Sequence, residues 1–219
     1  MEQRKLLNIN EIIPDVFYIF INEFMPITQH NLNTTKSFIS AAYSYCAIDR
    51  NFINAYINGL VYYLPFIKSD TDIKIISPYC LNAINDYRVE YDTETYRKNT
   101  YPFYPSRLSA IYAFGDYRSC ELVSKKYNWY LDSVKTFKLA EYNELTRVIK
   151  VNMEIISLAR TAYRVGMLDN DTINTIWFNY WSGKVEIEIE LPIPYPNKES
   201  FMSDEMFEYL IEGKMVLIE

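Results

Sequence analysis

The chain has 219 residues, 49% hydrophobic and 23% charged, with a formal net charge of −6. That is enough length and apolar content for a proper core, and no Pro-, Gly- or Ser-rich tract gives any segment a disordered composition. The negative balance disfavours non-specific attraction to nucleic acid, which depends on Lys and Arg displacing counterions from phosphates. Polar residues interrupt every apolar run, so neither a membrane span nor a secretory signal is expected. Cys46, Cys80 and Cys120 are odd in number and widely spaced, which fits neither a zinc site nor a disulfide framework and makes a reducing cytoplasm the expected compartment. Twenty-one Tyr and twelve Phe suit interfaces with a protein partner or a second copy. The same bias toward Asn, Ile, Lys and Tyr also matches an AT-rich genome.

Val16 to Ile21, an apolar run bounded by Pro14 and Pro26, reads as a first, central strand. From Thr34 to Leu64 the spacing predicts two helices joined near Asp49, one with Phe38, Ala41, Ala42 and Tyr45 on its face and one with Phe52, Tyr56 and Leu60. Residues 72–76 read as a short strand ended by Pro78, and 81–97 is ambiguous between helix and extended chain. Ser109 to Phe114 is the next strand, then Gly115 and Asp116 as turn and cap, and a helix over 117–129. A strand is expected over 133–139. The spacing of Val148, Val151, Ile155, Ala159 and Ala162 predicts a helix over 146–165 ended by Gly166. A second helix covers 171–181 and is closed by Gly183. Val185, Ile187, Ile189 and Leu191 alternate with Glu186, Glu188 and Glu190, the pattern of a half-buried strand, before a loop carrying Pro192, Pro194 and Pro196. Residues 206–212 read either as a short helix or as a strand running on past Gly213 toward 214–218. Helices and short strands mix without regular alternation, so the class is α+β, within one domain spanning 1–219 with a helical portion at about 30–65 packed on it.

Familiar catalytic arrangements are missing. His30 is the single histidine, in a loop after Pro26, and no Gly-x-Ser-x-Gly turn accompanies it. The five glycines, Gly59, Gly115, Gly166, Gly183 and Gly213, are too scattered to cradle a phosphate. The three alternating glutamates at 186, 188 and 190 read as the solvent face of a strand, not as a metal or acid/base cluster. Positive charge gathers around Arg88, Arg97, Lys98, Arg107 and Arg118, either as a local basic patch or as part of a mixed solvated surface.

One run remains: Pro105-Ser106-Arg107-Leu108-Ser109-Ala110-Ile111-Tyr112-Ala113-Phe114 places Arg and two Ser beside an apolar strand. An arginine there needs a partner, and Glu94 and Asp116 are candidates. It follows Glu94-x-x-Arg97 and Tyr101-Pro102, and precedes Tyr180-Trp181-Ser182-Gly183 and Phe207-Glu208-Tyr209-Leu210-Ile211-Glu212-Gly213. Taken in order, from about Glu94 onward, these segments resemble a poorly characterised bacterial and phage family related to ADP-ribosyltransferases.

The resemblance implies a fold of split sheets with flanking helices and a cleft that takes NAD. It implies that Ser109 and Tyr112 frame the nicotinamide, that Arg107 contacts a phosphate or the acceptor, and that Glu208 is the catalytic carboxylate. Those residue types suit the chemistry, because breaking the nicotinamide bond passes through a state with positive charge on the ribose that a carboxylate stabilises. The chain departs from the pattern at its first strand, Phe17-Tyr18-Ile19-Phe20, which carries neither the His nor the Arg usual there. Three functions are therefore open: transfer of ADP-ribose from NAD to a macromolecular acceptor, a non-catalytic virion or assembly protein that keeps the fold, and an anti-defence protein that binds a nucleotide without turnover. The corresponding locations are the host cytoplasm or a virion.

Overall fold

The computed structural model describes residues 4–46, 49, 51–58, 60, 78–165, 168–191 and 197–218. The expected strand at 72–76, Gly59 and Gly166, and the Pro192 to Pro196 loop lie outside them. The class is α+β, with three antiparallel sheets among the described residues.

Strand β1 (Phe17–Phe20) begins the fold as expected, and two helical turns follow it: α1 (Pro26–His30), with proline at its start, and a wider turn over Asn31–Thr35. His30 thus ends a short helix and is exposed. The helical spacing over 34–64 is interrupted, because Ser37–Ile39 forms a strand, β2, recruited by residues 214–216. Helices α2 (Ala41–Cys46) and α3 (Phe52–Ile57) come after it. The ambiguous stretch is one long helix, α4 (Pro78–Thr100). Its buried stripe is Asn85, Val89, Thr93 and Arg97, spaced four apart but mostly polar, which hides the period from any reading based on apolar residues.

Strand β3 is short (Ile111–Ala113), because residues 106–110 form a turn closed by the Ser109 and Ala110 amides on the Ser106 carbonyl. Helix α5 (Tyr117–Tyr127) is capped by the Asp116 carboxylate, which accepts from the Ser119 amide. Strand β4 (Val134–Leu139) follows. The long helix expected from 146 is corrected: Arg147–Asn152 is strand β5, and helix α6 begins only at Met153 and runs to Val165. Val148, Ile149 and Val151 belong to a strand buried on both faces, a pattern whose apolar spacing also satisfies a helix. Helix α7 (Asn170–Trp181) is capped by Asp169. The glutamate-alternating segment gives β6 (Glu188–Leu191), with its glutamates exposed, paired to β7 (Glu199–Met202). Residues 207–212 take the strand option as β8 (Phe207–Glu212), and β9 (Lys214–Leu217) follows.

These strands build a four-stranded sheet, β1-β4-β9-β2, and a three-stranded sheet, β3-β8-β5. The chain passes from one to the other at Gly213, whose amide donates to Ser40 Oγ and whose carbonyl accepts from the Ser40 amide, both at 3.0 Å. An antiparallel bridge between Tyr18 and Phe114 joins the sheets a second time. Between them lies an apolar layer containing Phe17, Ile19, Phe137, Val148, Tyr209, Ile211 and Met215. The opposite face of the three-stranded sheet packs Ile149, Val151 and Leu210 against α4, α6 and α7, with Trp177, Tyr180 and Trp181 filling the interior. Each fully buried side chain of this kind contributes roughly 1.5–3 kcal/mol, which is what makes the polar burial on the same face affordable.

The free edge of β5 is covered by the N-terminal segment, where the Leu7 amide donates to the Val148 carbonyl and Asn8 bonds the backbone of Lys150 in both directions. Gly183 lies under that segment with φ +71°, and a Cβ there would meet Asn8 Nδ2 and Ile9 Cγ2 at 2.8 Å and the Lys150 carbonyl at 3.1 Å. Gly183→Ala is therefore expected to destabilise the protein by about 1–3 kcal/mol in denaturant titration, from left-handed backbone strain combined with displacement of the edge cover.

Candidate functional site

Strand alternation sets the site. Tyr209 and Ile211 of β8 point into the layer between the sheets, so Glu208, Leu210 and Glu212 point toward the helices. Both carboxylates are buried there, and each is met by an arginine.

The first cluster centres on Arg107, in the turn before β3. Its Nε and Nη2 engage Glu90 of α4 at 3.0 and 3.2 Å. Its Nη1 donates to the Tyr180 hydroxyl of α7 at 2.5 Å and reaches Glu208 Oε1 at 3.4 Å. The guanidinium lies 5.4 and 5.5 Å from the ring centroids of Tyr112 and Tyr180, within cation–π range. The Tyr112 hydroxyl donates to the Arg107 carbonyl at 2.8 Å, which fixes the turn. Arg107 is 8% exposed and Glu208 7%. Glu90 is the outward member, 22% exposed, and Arg160 of α6 reaches it at 3.4 Å from the surface.

The second cluster centres on Glu212, which faces Arg147 in the β5–β8 register, and Arg147 Nη1 lies 3.1 Å from Glu212 Oε2. The other oxygen, Oε1, accepts from the Tyr56 hydroxyl of α3 at 2.7 Å, from the Ser106 amide at 3.2 Å and from the Ser109 hydroxyl. Beside it Arg97 forks onto Glu94 at 3.0 and 2.8 Å and caps the carbonyls of Pro102 and Tyr104, while Ser106 Oγ donates to Glu94. Fork geometry of this kind is specific to arginine.

Electrostatics follow burial. Desolvation pushes the Glu208 carboxyl above its ordinary value, with Arg107 pulling part of the way back. Desolvation likewise raises Glu212, opposed by Arg147, Ser109 and Tyr56. Burial would lower Arg107, but Tyr180, Tyr112, Glu90 and Glu208 more than reverse this, so the guanidinium stays charged. A carboxyl shifted upward by burial beside a fixed cation is the kind of group found at acid/base sites.

Of the four residues singled out in the sequence, the structure gathers Arg107, Tyr112 and Glu208 in one cluster and places Ser109 in the other. Arg107 takes Glu90 and Glu208 as partners, while Glu94 turns to Arg97 and Asp116 caps α5. Burial and pairing of Arg97 and Arg107 remove them from any surface basic patch. Glu90, Tyr56, Arg147 and Glu212 were not assigned roles from sequence. The Glu208-Leu210-Glu212 alternation could have revealed Glu212, and the spacing of Glu90, Glu94 and Arg97 on one side of a helix could have revealed Glu90. Cys120 is a free buried thiol, its pKa pushed up to about 12 by desolvation, which leaves it unreactive. Among the described residues no group of three His, Cys, Asp or Glu side chains could hold a metal ion, and no helix is long and apolar enough to cross a membrane. No protein-family model matches the chain, and no curated protein matches it in sequence.

Two outcomes are expected. Arg107→Leu leaves Glu208 and Glu90 without their buried counter-charge and should cost about 3–5 kcal/mol in denaturant titration, with Arg107→Lys recovering only part because an ammonium cannot span both carboxylates. The pH dependence has an unusual sign. A carboxyl raised above its unfolded value of about 4.5 stabilises the fold below that value, and this contribution is lost as pH rises through the folded pKa. The melting temperature of wild type minus that of Glu208→Gln should therefore fall as pH is raised from 4.5 toward neutrality, and a rising difference would reverse the assignment.

Proposed function

We propose that this chain is an ADP-ribosyltransferase-like protein that takes NAD beside the three-stranded sheet and transfers ADP-ribose to a macromolecular acceptor. The observation that carries the reading is the meeting of Arg107 and Glu208, 101 residues apart in the chain, on one buried face. Arg107 suits a phosphate. Its fork is held by the Glu90 carboxylate, a planar anion that stands in for a phosphate oxygen pair and lies at the outward side of the cluster. Release of Glu90 toward Arg160 would free that fork for NAD. Bound NAD would supply a glycosidic bond to nicotinamide whose cleavage builds positive charge on the ribose. Glu208, once ionised, would face that charge and take the proton of the acceptor, and Tyr112 would bound the pocket with its ring.

A second reading is favoured by the saturation of the same residues. Arg107 already spends its donors on Glu90, Tyr180 and Glu208, the state expected of a non-catalytic assembly protein using the cluster as a structural pin. A groove of about 890 Å³ beside the end of β1, lined by Phe20, Phe24, Trp129 and Tyr130, adds a contact surface, with Phe24 96% and Tyr130 72% exposed.

Incubation with labelled NAD separates the two. The transferase reading expects nicotinamide release by wild type and a loss of about 10²–10⁴-fold in Glu208→Gln. No release and no NAD-induced thermal shift, together with concentration-dependent multimers in light scattering, would replace it with the assembly reading.

A further inference from the structure

Helix α3 delivers one buried side chain to the body of the protein, Tyr56, only 1% exposed. The ring lies 4.3 Å from the Arg147 guanidinium and 5.2 Å from that of Arg97. Its hydroxyl donates to Glu212 Oε1 at 2.7 Å, with the Tyr104 carbonyl at 3.1 Å as a second acceptor, and accepts from the Ser106 amide at 2.8 Å. The walls of this slot come from four other segments of chain: α4 through Arg97, the turn before β3 through Ser106 and Ser109, β5 through Arg147 and β8 through Glu212. They are tied to one another without Tyr56, through Arg97 to Glu94, Ser106 to Glu94, Arg147 to Glu212 and Ser109 to Glu212. The slot is thus built by the body and filled by a single ring on a six-residue helix.

Its chemistry selects what else fits. Two guanidiniums favour a planar, electron-rich ring and repel a cationic one. At the rim, Glu212 Oε1 accepts and the Ser106 N–H donates, and the two also meet each other at 3.2 Å. The Tyr56 hydroxyl answers both with one atom. A purine answers them with two adjacent atoms, in adenine the exocyclic amine toward Glu212 and the neighbouring ring nitrogen toward the Ser106 N–H. The nicotinamide ring of NAD carries positive charge and fails the first condition.

We propose that the Arg97–Arg147–Glu212–Ser106 slot is a purine-base site that Tyr56 occupies in the resting protein. A purine is one ring wider than a phenol, so base binding displaces Tyr56 together with α3. This deepens the NAD reading and rests on it for the identity of the nucleotide: adenine would enter here, and Ser109 would serve the base side of the site instead of the nicotinamide side.

Isothermal titration with AMP and with nicotinamide mononucleotide tests it, using wild type, Tyr56→Ala, and Tyr56→Ala combined with Arg147→Leu, each checked for a cooperative melt. AMP is expected to bind Tyr56→Ala at least about tenfold tighter than wild type, a gain of about 1.4 kcal/mol from removing the internal competitor. Nicotinamide mononucleotide should show no such gain, and Arg147→Leu should remove the AMP gain. Equal AMP affinity in wild type and folded Tyr56→Ala, or an equal gain for nicotinamide mononucleotide, overturns the proposal. Should Tyr56→Ala fail to melt cooperatively, Tyr56→Phe replaces it. That variant loses both rim hydrogen bonds while keeping the ring, so a severalfold gain for AMP supports the slot and no gain overturns it. AMP binding by Tyr56→Ala, with no nicotinamide release from NAD by any form, keeps the slot and discards the transferase reading. Nicotinamide release by wild type without an AMP gain in Tyr56→Ala does the reverse.

Discussion

Glu208 and Glu212 leave the same face of β8, and the surroundings follow from the need to keep two carboxylates out of water without leaving either unpaired. An unpaired buried charge costs several kcal/mol, more than one apolar contact repays. The chain meets this need twice, from different directions. Arg147 comes across the sheet from the neighbouring strand, while Arg107 comes from a turn and is steadied by Glu90 on α4 and the Tyr180 hydroxyl on α7. Helix α4 buries a stripe that is polar at Asn85, Thr93 and Arg97, where an apolar one would be usual.

Between the two carboxylates lies Leu210, completely buried and packed into the helix-side core. It separates the clusters along the strand, so each arginine sees its own carboxylate most closely. The separation suits a division of labour. Under the proposed readings an anion would replace the outward carboxylate of one cluster, and a base would replace the aromatic ring of the other. Both exchanges would leave the sheet itself undisturbed, because the strand pairing of β3, β8 and β5 uses backbone groups alone.

The legible parts of the sequence were those with apolar periodicity and clear punctuation. Helix α7, expected over 171–181 and closed by Gly183, and the exposed glutamates of β6 follow directly from their patterns, as does β1 between its prolines. The region 146–165 was harder, because β-branched residues buried on both faces of β5 imitate the spacing of the helix that follows. Helix α4 was obscured for the opposite reason, since its buried stripe is polar. Within the site, the run from Arg107 to Tyr112 stood out because charge beside an apolar strand is unusual. Glu208 was reached only through resemblance, and Glu212 was overlooked although it shares its face. The partners were hidden because ion pairs such as Arg107 with Glu208 join residues 101 positions apart, and no local pattern records which arginine a buried carboxylate will meet.

The position of β8 and β9 along the chain has a consequence for how the protein comes together. β8 is the middle strand of its sheet, and β9 lies between β4 and β2 in the other. Strands β1 to β5 therefore emerge from the ribosome before the two strands that join them, and they carry Arg107 and Arg147 toward carboxylates not yet synthesised. Until residues 207–217 arrive, the three-stranded sheet has no centre and two buried-site arginines lack their final partners. Assembly dominated by such distant contacts is slow and exposes unpaired strand edges on the way. The short passage through Gly213, which completes both sheets within a few residues, makes closure a late and concerted event, so truncation just before β8 would remove the middle of one sheet and an interior strand of the other.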